Sequence, residues 1–77
     1  MPKLPVLSGK KLLSILLRNG FVAFHRKGSH VFIEDPTGKR GTAIPLHGNE
    51  DLGRGLLKSI MSDLDLEVSD LLSMLRK

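Results

Sequence analysis

"FVAFHRKGSHVFIEDPTGKRGTAIPL", residues 21–46, contains three apolar runs separated by two stretches of turn residues. The first run, 21–28, is aromatic and β-branched and stops at Gly28, which predicts a strand followed by a tight turn. Residues 29–35 predict its neighbour. In 35–41, Pro36 presets one turn dihedral and Gly38 tolerates a positive φ, so the chain reverses again into a third strand over 41–46. Connections this short imply an antiparallel meander. Along the middle strand side chains alternate, so Val31 and Ile33 share one face while His30, Phe32 and Glu34 share the other. An ionisable ring directly behind Gly28 and Ser29, at the mouth of an apolar run, is either tolerated there or needed.

On both sides of this core the periodicity changes. Residues 7–20, "LSGKKLLSILLRNG", predict a helix: Ser8 can cap it, Leu12, Leu13, Leu16 and Leu17 form a stripe, Lys11, Ser14 and Arg18 face water, and Gly20 ends it. Residues 47–55 are a loop by composition. The next helix, 55–64, carries Leu56, Leu57, Ile60, Met61 and Leu64 on one side, and residues 66–77 form a short last helix with Val68, Leu71, Leu72 and Leu75 at helical spacing. Acids in its first turn and Arg76 with Lys77 at its end suit the helix dipole. The fold class is therefore α+β in the order αβββαα: a three-stranded antiparallel sheet with helices packed on one face and the other face open.

A chain of 77 residues makes one domain, 1–77, with residues 1–6 as a flexible leading segment, and a domain near this size buries only about 60% of its unfolded surface. There is no cysteine to staple it. No apolar run approaches the roughly 18 residues of a membrane span, and two prolines interrupt "MPKLPVLSGKK" before a signal-like region forms. The expectation is a cytoplasmic protein. Net charge is +4, but residues 1–40 hold eight of the twelve Lys and Arg and only two of the eight acids. A basic front half fits phosphate binding, because counterion release supplies most sequence-independent affinity for nucleic acid, and it fits an ordinary solvated surface equally well.

Two readings stay open for the strand face. If Val31 and Ile33 meet the helices, His30 and Phe32 face out, and an exposed aromatic flanked by Arg26, Lys27, Lys39 and Arg40 offers stacking and phosphate contacts for RNA. Otherwise Phe32 is covered. His30 has the better claim to chemistry: Gly28 allows close approach, Ser29 offers a hydroxyl, and Arg26 and Lys27 precede them. Imidazole ordinarily titrates near pH 6.5, so it can take the proton of a ribose 2′-OH that then attacks the adjacent phosphorus. No acid pair with metal-site spacing lies near the motif, and a Ser29 nucleophile activated by His30 is disfavoured because consecutive strand residues point apart. His25, one hairpin away, has a path to His30. His47 either donates to a phosphate beside a helix start or fastens its loop.

In combination, "LSGKKLLSILLRNGF", "HRKGSHVFIEDP" and "TAIPLHGNEDLGRGLLKSIM" resemble the HicA toxin family, over residues 7–75 and in order. That resemblance implies a fold like the double-stranded-RNA-binding domain and a metal-independent endoribonuclease that cleaves mRNA with a single catalytic histidine, here His30, and no cofactor. Gly28 and Ser29 are its motif neighbours, and His47, Gly55 and Lys58 fall on recurring positions without an assigned role. The implied partners are mRNA and a HicB-like antitoxin, with no membrane and no DNA bound by the chain alone. Arg26, Lys27, Gly28, Ser29, Phe32, Lys39, Arg40, His47 and Lys58 form the candidate RNA-binding set. Asp65 and Glu67 depart from the pattern, which usually has glycine and a serine-like cap there. The alternative is a module of the same fold that grips RNA without cutting it; a third is a partner for an acidic protein.

Overall fold

The helix that opens the fold is built as its caps dictate. In the computed structural model, which describes residues 3–48 and 50–76, α1 spans Gly9–Arg18. The Ser8 hydroxyl accepts the Lys11 N–H at 3.1 Å, Asn19 closes the other end with its side chain donating to the Ile15 carbonyl at 2.7 Å, and Gly20 turns away with φ +91°. Met1 and Pro2 of the leading segment, Asn49 of the loop and Lys77 at the chain end lie outside the described residues.

One part of the α1 reading needs correction. Its buried line is Gly9, Leu12, Ile15 and Leu16, while Leu13 is half-buried and Leu17 is 43% exposed. Five aliphatic residues in six positions permit two adjacent stripes about 100° apart, and only packing chooses between them. The choice is set by the last of the three strands, because Gly9 sits directly over the Pro45 carbonyl where no side chain fits.

Three strands follow, β1 Val22–Lys27, β2 His30–Glu34 and β3 Gly41–Pro45, in one antiparallel sheet of order β1-β2-β3. Gly28 has φ +60° in the two-residue β1–β2 turn, the conformation such hairpins demand at their first central position. Pairing runs Lys27 with His30 and His30 with Pro45, and Val31, Ile33 and Ile44 are buried beneath the helices. Of the two readings open for the strand face, the one that turns Val31 and Ile33 toward the helices is the observed one.

Asp35 organises the second turn. Its Oδ1 accepts from the Thr37 hydroxyl at 2.8 Å and the Lys39 N–H at 3.1 Å, and its main chain bonds Gly38 and Arg40. The Thr37 bond, helped by the N–H groups of Arg40, Lys39 and Gly38, holds this carboxyl below its usual value of 3.8, against a slight desolvation. A depressed folded value stabilises the fold above the unfolded one and loses that effect as pH falls through the folded value. Asp35→Ala should accordingly lower the denaturant midpoint near neutrality, and the gap to the parent should shrink below pH 3.8. A gap that stays constant through the acid range would remove the charge from this explanation.

Two helices complete the cover. In α2, Arg54–Asp63, the stripe is Leu57, Ile60 and Met61, continued by Leu64 at its C-cap; Leu56, expected on the same side, is 44% exposed, since i, i+3, i+4 and i+7 from Leu57 exclude it. Thr42 on β3 donates to Asp63 at 2.8 Å and ties the end of α2 to the sheet. In α3, Val68–Leu75, Leu71 is fully buried and Val68, Leu72, Met74 and Leu75 are half-buried. Glu67 caps α3 through its own N–H, which donates to Asp70 at 2.8 Å. The architecture is α+β, order αβββαα, with all three helices contributing to one core.

Asp65, between α2 and α3, takes φ +56°, the one left-handed non-glycine among the described residues. It therefore reproduces the backbone shape a glycine would supply there, and its carboxylate reaches Arg40 at 3.6 Å in an exposed pair that adds little. Asp is among the few residues that tolerate this region. Asp65→Gly should keep stability within about 0.5 kcal/mol of the parent, whereas Asp65→Ala should lose about 1–2 kcal/mol by urea titration. Equal stability of the two variants would show that the junction is not held in that conformation.

Candidate functional site

Burial of Val31 and Ile33 drives the intervening side chains of β2 to the uncovered face, and the turn at Gly28 and Ser29 makes His30 the first of them. His30 is exposed. Lys27 stands opposite it on β1 and shares its face. Ser29 is half-buried, and its carbonyl accepts the Leu46 N–H at 2.6 Å, which carries the β2–β3 ladder one step past Pro45.

That extra bond decides where His47 goes. Its ring lies 6.1 Å from His30, centre to centre, with the two planes at 90°. The loop itself is fastened through main-chain groups: Leu46 to Ser29, Glu50 N–H to the His47 carbonyl at 3.1 Å, and Leu52 N–H to the Leu7 carbonyl at 2.7 Å. His47 is exposed, with its ring beside that of His30. His25, considered from its position as a neighbour of His30, is instead opposite Phe32, with ring centres 5.3 Å apart.

Phe32 lies half-buried on the open face, not under the helices. The register slips between Ala23 and His25, leaving Phe24 as an extra residue on β1. Such a bulge breaks strict alternation, so both Phe24 and His25 lean toward Phe32; the Phe24 and Phe32 rings are 6.4 Å apart and Phe24 is 58% exposed. The aromatic patch thus has three members where the sequence offered one.

The basic residues divide into separate places. Lys27 joins His30, but Arg26 has the phase of Val31, and its Nε donates to the Gly28 carbonyl at 3.3 Å within the turn. Lys39 and Arg40 lie beyond the opposite end of β2, roughly 13 Å from His30 by strand rise, and Arg40 pairs with Asp65. Lys58 is exposed on α2, beside a depression formed with Leu4, Met61, Ser62 and Asp65 in the helical layer. Gly55 is exposed near the start of α2 with open space around its Cα. The structure thus brings together Lys27, Gly28, Ser29, His30 and His47, continued by Phe32, and sets Arg26, Lys39, Arg40 and Lys58 apart.

Among the described residues no three His, Cys, Asp or Glu side chains gather as a metal-binding set, and no helix is long and apolar enough to cross a membrane. No curated protein matches the sequence. Residues 9–66, well over half of the chain, match the family described as HicA toxin of bacterial toxin-antitoxin. The matched span takes in the helix, all three strands, the His30 turn, the His47 loop and α2. The chain belongs to the HicA toxin family, the toxin half of a bacterial toxin–antitoxin pair, and membership implies a cognate antitoxin as its partner.

Proposed function

We propose that the protein is a metal-independent endoribonuclease that cuts mRNA in the cytoplasm and is held in check by a HicB-like antitoxin. His30 exchanges the proton of a ribose 2′-OH; the released oxygen attacks the neighbouring phosphorus, and Lys27 offsets the charge that accumulates on the phosphate. The single observation that carries this reading is the place of His30: exposed, on an uncovered sheet face, behind a turn that leaves its surroundings open. Phe32, with Phe24 and His25 beside it, gives the bases of a single strand a surface on which to stack. Lys39, Arg40, Arg26 and Lys58 are then long-range attractors for the RNA backbone more than contacts at the cut. An antitoxin that covers the open face would block the histidine and the stacking surface together.

The test is to incubate the purified chain with an mRNA in EDTA and to identify the new ends. Cutting in EDTA, with 2′,3′-cyclic phosphate on one fragment and 5′-hydroxyl on the next, is the expected result. RNA retained by the protein and recovered intact would favour the non-cleaving binding module of the same fold. Dependence of cutting on added metal would replace the mechanism.

A further inference from the structure

We propose that His47 is a second catalytic group, forming with His30 an acid–base pair across one phosphate. The inference rests on the ribonuclease reading and extends it from one histidine to two. Transphosphorylation moves two protons: one leaves the 2′-OH as its oxygen bonds to phosphorus, and one reaches the 5′-oxygen as its bond to phosphorus breaks. Attacking and leaving oxygens lie roughly in line on opposite sides of the phosphorus. A single ring beside one of them is badly placed for the other.

The structure supplies two rings at one place. His30 and His47 are 17 positions apart in sequence, yet the pairing of His30 with Pro45 and the Leu46 to Ser29 bond set their rings 6.1 Å apart and perpendicular. Both rings are exposed, and their 6.1 Å separation puts them within reach of one phosphate. Among the described residues the hydrogen bonds of the loop run through main-chain groups, which leaves the His47 ring available to a ligand. In the cycle, one neutral imidazole takes the 2′ proton while the other, protonated, gives its proton to the departing 5′-oxygen. The products are a 2′,3′-cyclic phosphate and a 5′-hydroxyl, and exchange with water restores both rings.

The pair can be tested with two substrates: ordinary RNA, and the same RNA with a 5′-bridging sulfur at the cut, whose thiolate leaves without needing a proton. His47→Ala and His30→Ala should each slow cleavage of ordinary RNA by about 100-fold or more. On the sulfur substrate one of the two should recover to within a few fold of the parent and the other should stay slow, which identifies acid and base. His47→Gln, read alongside thermal melts, separates lost chemistry from a disturbed loop. Parental rates for His47→Ala on ordinary RNA would overturn the pair while leaving His30 as the sole catalyst, and slow cleavage of the sulfur substrate by both variants would overturn it by showing that neither ring protonates the leaving oxygen. A parent chain that cuts neither substrate would overturn the ribonuclease reading as well.

Discussion

On induced expression the parent chain should arrest growth and deplete transcripts, and His30→Ala should be tolerated by the cell with its transcripts intact. The size of the effect follows from the role proposed for the ring. Removing a general base or acid costs about 10²–10⁴-fold in rate, and a toxin slowed that far no longer outpaces transcription. The same change should leave the fold untouched, because the ring is exposed and the burial that sets the phase of β2 belongs to Val31 and Ile33. Equal accumulation and equal melting of the two proteins should therefore accompany the loss of toxicity. Arrest at the parental dose by the alanine variant would take the chemistry away from His30.

Gly9→Ala should be the most damaging single-methyl change in the chain. On helix propensity alone, alanine gains about 1 kcal/mol over glycine. Here the sign reverses, since a methyl at Gly9 runs into the Pro45 carbonyl oxygen and crowds Leu46, 3.3 Å away. The clash is with backbone, which cannot rotate aside, so α1 has to lift from β3 or β3 has to bend. A loss of about 2 kcal/mol or more is expected, which for a domain this size lowers the melting temperature by roughly 10 °C. Gly55→Ala is the control: open space surrounds that position, and the helix should gain up to about 1 kcal/mol. Because Pro45 and Leu46 also carry His47 to its place, Gly9→Ala should weaken activity in the fraction that still folds.

Much of the fold was legible because its signals are local. Gly28, Pro36 and Gly38 mark two turns whatever else the chain does, and two turns between three apolar runs leave little besides a meander. The alternation of Val31 and Ile33 with His30 and Phe32 then separates two faces, but which of them meets the helices stays open until the burial of Val31 and Ile33 decides it. What could not be read depends on contacts between distant segments. Leu13 and Leu17 in α1, and Leu56 in α2, belong to stripes as apolar as the buried ones, and only the position of the sheet rejects them. The bulge at Phe24 has no residue signature, so Phe24 and His25 were not expected beside Phe32. The need for glycine at position 9 comes from β3 lying against it, which no local residue pattern marks.

The approach of His47 to His30 falls between these cases. Closing the Asp35 turn on Glu34 and Gly41 pairs His30 with Pro45, and His47 follows two residues on. The register was therefore present in the turn chemistry, but the direction of a loop side chain was not.

The measurement that bears most directly on the central claim is single-turnover cleavage of one RNA by purified parent and His30→Ala, with binding measured on the same samples. Affinity within a few fold and a cleavage rate lower by about 100-fold or more are expected. Cutting by the alanine variant at the parental rate would contradict it, because the exposed ring at the start of β2 would then have no part in the reaction.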